Sequence, residues 1–200
     1  SLPADRAGTR GAAQGRRGTG LMWRFVTPLV LFGLLVAVFV KGLDPERNLN
    51  ELPSPFVGKT APTFDLPGLK DPSTRVGTAL YEGETALINV WATWCVGCRQ
   101  EHDFLLQLSR EDVVPIVGIN WRDNRDEALR WLAQLGDPYV ASGYDGDGRV
   151  GIDWGVYGAP ETFLVGRDGT VLHKHLGPLD RRIWEEDFMP LIDADGRGGK

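Results

Sequence analysis

The chain of 200 residues has only two cysteines, Cys95 and Cys98, and two residues separate them. They follow the apolar run of residues 86–91, and an apolar run of this length between polar segments is typical of a buried strand. The pattern after them, over 95–109, is helical. A Cys-x-x-Cys pair between a strand and a helix is typical of a redox dithiol.

The predicted helix suits thiol exchange. If Cys95 begins the helix, Cys98 lies one turn along the same face, within reach of a disulfide. The unpaired N–H groups and the positive dipole end of the first turn favour a thiolate at Cys95. We therefore predict that Cys95 is the nucleophile and that Cys98 is the resolving thiol, which attacks the mixed disulfide and releases the reduced partner.

A helical wheel drawn from Cys95 places Glu101 in the middle of an apolar arc that also contains Cys98, Phe104 and Leu105. Loss of solvent there should raise the pKa of Glu101. We predict that this carboxyl exchanges protons with the resolving thiol.

Other uses of the cysteine pair remain open. It could be half of a zinc site, with only His102, His173 and His175 left to complete it. Haem attachment requires a histidine after the second cysteine, where Arg99 stands. A purely structural disulfide over so short a loop would stabilise little. His173 and His175 share a strand face, for which we expect solvent exposure rather than a metal.

The sequence of residues 1–43 indicates a tail followed by a membrane anchor. Residues 1–20 have almost no large apolar side chains, which predicts a disordered cytoplasmic tail. Residues 21–43 are apolar except for Arg24 and Lys41 near the ends, which predicts a single transmembrane helix. A cleaved signal peptide is the alternative, but no Ala-x-Ala pattern follows. Basic residues before the span place the N-terminus in the cytoplasm.

The sequence of residues 44–200 indicates a linker, a folded domain and a short tail. Residues 44–55 contain three prolines and predict a linker, residues 56–192 a folded domain, and residues 193–200 a flexible tail. The first 43 residues carry a net charge of +5 and the whole chain −5, so the rest carries −10. A domain this acidic is not expected to bind nucleic acid; it should attract a basic partner.

The domain pattern predicts an α/β fold. A second buried strand falls within 113–121, and Asn124 begins a helix that Gly136 ends. Strand and helix alternate, which predicts a βαβ unit with parallel strands. A hairpin over 162–176 adds antiparallel strands, and Asp180 begins a last helix that Pro190 ends or kinks.

Three segments carry a family resemblance. They are Trp91-Ala-Thr-Trp-Cys-Val-Gly-Cys-Arg-Gln-Glu-His102, Gly155-Val-Tyr-Gly-Ala-Pro-Glu-Thr-Phe163 and Arg182-Ile-Trp-Glu-Glu186. Over residues 55–192 the chain resembles the membrane-anchored cytochrome c biogenesis thiol-disulfide oxidoreductases, the CcmG or DsbE family. The resemblance implies a thioredoxin-like fold, with a central mixed sheet flanked by helices, and no metal or other cofactor.

The resemblance also implies a function. It implies a bacterial inner-membrane protein whose catalytic domain lies in the periplasm and reduces the Cys-x-x-Cys-His segment of apocytochrome c, directly or through a thiol-bearing partner. A membrane electron donor of the DsbD or CcdA type would reduce the protein again. A broader periplasmic thiol reductase or oxidase, and a copper- or zinc-binding chaperone, are the alternatives.

By position, the resemblance makes Cys95 and Cys98 the redox pair, Glu101 the nearby acid and Pro160 a cis-proline. The Ala159 backbone would then face outward, where an extended substrate could pair with it. We predict that Trp94 covers the disulfide and that Trp94 and Glu161 contact substrate. Glu161 would set local charge there, or would only begin the hairpin. Trp91 is expected in the core. Gly97 departs from the proline or threonine of many relatives and should loosen the first helical turn.

Overall fold

The computed structural model describes residues 19–42 and 56–198. The linker predicted over 44–55 lies outside these residues. So does the tail predicted over 1–20, apart from its last two residues. The chain divides into two units, residues 1–48 and 49–200, and each is described by itself.

The first unit contains one helix, α1, over Thr19–Gly42. Its large apolar side chains from Phe25 to Phe39 are exposed. Among the residues described in the two units, no helix is both long enough and apolar enough to cross a membrane. The transmembrane helix expected over 21–43 is therefore not shown.

A five-stranded mixed sheet forms the centre of the second unit, in the order β5-β4-β3-β6-β7. β3, β4 and β5 are parallel, β6 is antiparallel to β3, and β7 is antiparallel to β6. The predicted thioredoxin-like α/β fold is confirmed. A short hairpin, β1–β2, forms a separate two-stranded sheet that packs beside β5. The strands are β1 Asp65–Pro67, β2 Arg75–Gly77, β3 Ala86–Trp91, β4 Ile116–Trp121, β5 Ala141–Asp145, β6 Glu161–Val165 and β7 Val171–Leu176.

The helices that connect the parallel strands cover one face of the sheet, and the short helix after β5 packs on the other face through Val150. The crossovers from β3 to β4 and from β4 to β5 run toward the same edge, so the right-handed rule puts both of their helices on one face. The helices are α2 Val96–Glu111, α3 Arg125–Leu135, α4 Arg149–Asp153, α5 Arg181–Ile183, a π-helical segment Trp184–Phe188 and α6 Met189–Gly198.

Alternation along β3 divides the core into two layers. Leu87 and Trp91 pack in one cluster with residues of α2, α3 and the C-terminal helices. Ile88 and Val90 pack in the other, with Phe64 beside the hairpin. All six residues of β3 are buried, so the cysteine pair directly follows a strand that lies wholly in the core.

Two predicted helix starts are confirmed by their caps. Asn124 accepts a hydrogen bond from the Glu127 N–H (3.1 Å), and Asp180 accepts one from the Ile183 N–H (2.8 Å). Gly136 caps the end of α3 in a positive-φ conformation.

The C-terminus differs from its prediction. The chain does not become a tail at residue 193 but stays helical to Gly198, and it passes Pro190 after a π-helical segment. Asp195 gives the reason. Its carboxylate accepts hydrogen bonds from the Thr85 hydroxyl (2.5 Å) and from the Arg167 N–H (3.1 Å), which holds α6 to the domain.

The prediction that His173 and His175 lie on a solvent-exposed strand face is also wrong. Both rings pack edge-on against Phe188, with ring centroids 4.9 Å and 6.5 Å away, and His175 is only 3% exposed. Burial lowers the pKa of both histidines. The strand pattern gave no sign that a C-terminal helix would cover this face.

We predict that Thr85 and Asp195 are energetically coupled. Thr85→Val and Asp195→Ala should each lower the free energy of unfolding, and the double variant should lose less than their sum by about 1 kcal/mol, because the two changes remove the same hydrogen bond. Urea unfolding of the four proteins measures this difference. Fully additive losses would show that the contact does not hold α6 in place.

Candidate active site

Cys95 and Cys98 form a disulfide at the start of α2, with Cα atoms 5.3 Å apart. Cys95 is the N-cap of the helix, and its sulfur accepts a hydrogen bond from the Cys98 N–H (2.9 Å). The predicted position of the pair, at the start of a helix, is therefore confirmed. After reduction the same N–H group and the helix dipole favour a thiolate at Cys95.

Two prolines pack against the turn between the cysteines. The Ala159–Pro160 bond is cis, as the resemblance implied. A Cβ atom at Gly97 would lie 2.8 Å from Pro160 Cδ, which is too close, and 3.2 Å from Pro178 Cγ, which is a tight contact. The glycine therefore allows both proline rings to approach the helix start, a packing role that the sequence did not suggest.

Exposed apolar side chains flank Cys95 in sequence, and another lies in the loop before the cis-proline. Trp94 is 54% exposed, and Val96 and Tyr157 are exposed by about three quarters. The Trp94 indole donates a hydrogen bond to the Arg122 carbonyl (3.1 Å) and packs beside Trp121. Trp94 therefore has a fixed orientation and a free face.

Ala159 and Pro160 line a shallow pocket of about 280 Å³, together with the exposed Tyr157. Ala159 is half-buried and packs against the apolar core. The Ala159 backbone, which we predicted to pair with substrate, therefore lies at a concave part of the surface. Tyr157 lies in the same concavity, although no sequence pattern indicated it.

Glu161 does not reach solvent. Its carboxylate is 3% exposed and pairs with Lys174 Nζ (2.9 Å), which is equally buried. Its other oxygen accepts hydrogen bonds from the N–H groups of Tyr157 (2.7 Å) and Gly158 (3.1 Å). The prediction of a substrate contact at Glu161 needs correction, because the side chain faces inward and shapes the loop before the cis-proline.

Glu101 lies in the core one turn after Cys98 and is 1% exposed. Its Oε1 accepts a hydrogen bond from Asn89 Nδ2 (2.9 Å) and its Oε2 accepts one from the Leu179 N–H (2.8 Å). Burial raises the pKa of Glu101 to about 7, although both hydrogen bonds lower it. The predicted rise is confirmed, and the value allows this carboxyl to take up or release a proton near neutral pH.

A buried chain of polar side chains continues behind Glu101. Asn89 Oδ1 accepts a hydrogen bond from the Tyr139 hydroxyl (2.8 Å), and Asn89 Nδ2 also donates to Thr162 Oγ1 (3.1 Å). The sequence reasoning did not single out these residues. A signal was available at Asn89, the only amide in an otherwise apolar strand.

Comparison with known proteins identifies the same chemistry. The family model described as Redoxin matches residues 56–188. The chain is 48% identical to the "Thiol:disulfide interchange protein DsbE" of Allochromatium vinosum, over 88% of this chain and 96% of that protein. It is 47% identical to the protein of the same name from Pseudomonas aeruginosa, over 82% of this chain and 89% of that one.

Solved structures agree with the fold. The structure described as a putative thiol:disulfide interchange protein DsbE from Chlorobium tepidum superposes with a TM-score of 0.59 at 28% identity. The superposition covers 68% of this chain and 94% of that one.

We predict that Glu101→Gln removes much of the pH dependence of stability in the oxidised protein. The folded carboxyl is protonated below about pH 7, the unfolded one below its ordinary 4.5, so the folded state holds the extra proton between these values. The stability that this proton gives is complete below pH 4.5 and is lost as the pH rises through 7. The loss amounts to about 3 kcal/mol.

Urea unfolding from pH 4 to 8 measures this loss. Glu127→Gln, which changes an exposed carboxylate of α3, is the matched control and should behave as the wild type. The prediction is contradicted if Glu101→Gln and the wild type lose stability equally across this range.

Proposed function

Since the chain belongs to the Redoxin family and to the DsbE thiol:disulfide interchange proteins, and is a thiol-disulfide oxidoreductase, we propose that it reduces apocytochrome c. The proposed substrate is the disulfide of the Cys-x-x-Cys-His segment, reduced directly or through a thiol-bearing partner. The observation that carries the proposal is the placement of Cys95 at the N-cap of α2 with the buried acid Glu101 one turn beyond Cys98.

The reduced pair completes the reaction in two steps. The Cys95 thiolate attacks one substrate sulfur, which breaks the substrate disulfide and forms a mixed disulfide. The other substrate sulfur leaves as a thiolate in this first step. Cys98 then passes its proton to Glu101 and attacks the Cys95 sulfur of the mixed disulfide, which releases the substrate sulfur that Cys95 had attacked as a second thiolate. The substrate gains two electrons, and the Cys95–Cys98 disulfide forms. Protons from solvent complete the substrate thiols.

The surface beside the disulfide suits an extended peptide. The free face of Trp94, the exposed ring of Tyr157 and the Ala159 backbone at the shallow pocket supply apolar contacts and main-chain groups. Glu161 lines the same pocket, but its carboxylate does not face substrate, because it is buried and paired with Lys174.

We further propose a location and an electron donor. The protein is anchored in the bacterial inner membrane by residues 21–43, with the catalytic domain in the periplasm, and a membrane donor of the DsbD or CcdA type reduces it again. The support is in the sequence: residues 25–40 carry no charge, and basic residues precede them.

We predict that full-length Cys98→Ser accumulates a mixed disulfide with an oxidised peptide that contains Cys-x-x-Cys-His, because no resolving thiol remains. Non-reducing electrophoresis and mass spectrometry identify the adduct through Cys95. The double variant Cys95→Ser/Cys98→Ser is the control and should form none. In cells, adducts dominated by proteins unrelated to cytochrome c maturation would instead favour the broader reductase.

We predict that the full chain stays with the membrane after alkaline carbonate extraction. A membrane-impermeant maleimide should label its reduced cysteines in intact spheroplasts, because the domain lies outside the inner membrane. Release by carbonate would contradict the anchor. Labelling only after the spheroplasts are lysed would contradict the periplasmic location.

A further inference from the structure

The amide of Asn89 uses every hydrogen-bonding group it has. It lies on β3 with no exposed surface, donates to Glu101 and Thr162, and accepts from Tyr139. Tyr139 is itself held in the core, where its ring stacks on Trp91 with centroids 5.5 Å apart. A buried amide that is satisfied on both sides has a defined orientation.

We propose that Asn89, oriented by Tyr139 and Thr162, is a positioning residue that prepares Glu101 to accept the proton of Cys98. The inference deepens the proposed exchange reaction and rests on it. None of the three residues touches the cysteines through a hydrogen bond in the described part of the chain, so their effect passes through the carboxyl of Glu101.

The direction of the amide decides which form of Glu101 it stabilises. With Nδ2 toward Glu101, the amide donates a hydrogen bond and favours the carboxylate. Turned over, it would present Oδ1, which can only accept and so favours the protonated acid. The Leu179 N–H donates to the same carboxyl and always favours the ionised form.

Tyr139 and Thr162 together favour the donating direction. Burial and the charges of Glu101 and Asp137 raise the pKa of Tyr139 well above its ordinary value, so its hydroxyl keeps its proton and donates it to Asn89 Oδ1. Nδ2 then meets two acceptors, Glu101 Oε1 and Thr162 Oγ1. Turned over, Nδ2 would meet only the Tyr139 oxygen, and one of its hydrogens would lack a partner. Without the Tyr139 hydroxyl, Oδ1 loses its donor, and the less polarised amide forms a weaker hydrogen bond to the carboxylate.

Few other titratable groups bear on Glu101. Cys98 lies one turn before it on α2, and Tyr139 with Asp137 approaches from the segment after α3. On the hairpin side, His175 contacts the Pro178 carbonyl (3.4 Å), which belongs to the same peptide unit as the Leu179 N–H. Burial lowers the pKa of His175, so the ring is neutral where Glu101 titrates.

The test is Tyr139→Phe in the oxidised full chain, with carboxyl-labelled glutamate observed by NMR. The Glu101 signal, assigned with Glu101→Gln, should titrate near pH 7 in the wild type. In Tyr139→Phe its midpoint should rise by about one pH unit, because one orienting hydrogen bond is lost. Tyr144→Phe removes a hydroxyl that bonds to the Asp123 carbonyl instead, and it should leave the midpoint unchanged.

A kinetic measurement separates positioning from a general loss of structure. At pH 7 the release of substrate from the mixed disulfide should slow about fivefold in Tyr139→Phe, since fewer molecules hold Glu101 ionised. The wild-type rate should return at pH 9. A slow rate that persists at pH 9 would contradict the proposal.

If Tyr139→Phe does not fold, the double variant Asn89→Leu/Tyr139→Phe removes the amide together with the hydroxyl that donates to it, so that neither is left without the other. Its Glu101 midpoint should also rise, because a donor to the carboxyl is gone. An unchanged midpoint in the variant that folds would overturn the inference. The NMR titration needs no substrate, so a failure to trap apocytochrome c would reject the proposed function without affecting this result.

Discussion

The site depends on two opposing effects on the Glu101 carboxyl. Removal from water opposes its charge, and the two hydrogen bonds from Asn89 and the Leu179 N–H favour it. Loss of solvent is the larger effect and raises the pKa from its ordinary 4.5 to about 7, and the two hydrogen bonds keep it from rising further. A carboxyl that was simply exposed would be ionised at neutral pH, and one without donors would stay protonated. The fold places this balanced acid one turn below the resolving thiol.

The same elements that hold Glu101 also position the disulfide. β3 supplies Asn89 and leads directly into the cysteine turn, and α2 carries both Cys98 and Glu101. The loop after β7 brings Pro178 against Gly97 and the Leu179 N–H against Glu101. Because these contacts share one short loop, its position affects both the packing at the cysteines and the proton affinity of the acid.

Local patterns predicted much of this arrangement. The cysteine spacing, the helix caps at Asn124 and Asp180, and the buried position of Glu101 depend on neighbours within about one helical turn, where sequence is informative. The cis bond before Pro160 was expected from the family resemblance rather than from the physics of the chain.

The errors arose where distant segments meet. Glu161 was predicted to contact substrate, but it pairs with Lys174 of the neighbouring strand β7, and this pairing appears only when the hairpin closes. His173 and His175 are covered by a helix that begins after them in the chain. Tyr139 and Asn89 are fifty residues apart, so nothing in either local pattern indicated their hydrogen bond.

The central claim is that Cys95 is a thiolate nucleophile at neutral pH, stabilised at the N-cap of α2. The most direct measurement is the alkylation rate of reduced Cys98→Ser as a function of pH, which reports the ionisation of Cys95 alone. The account predicts a rate that reaches half its maximum well below about pH 8.5, the value of an unperturbed thiol. A midpoint at or above that value would contradict it.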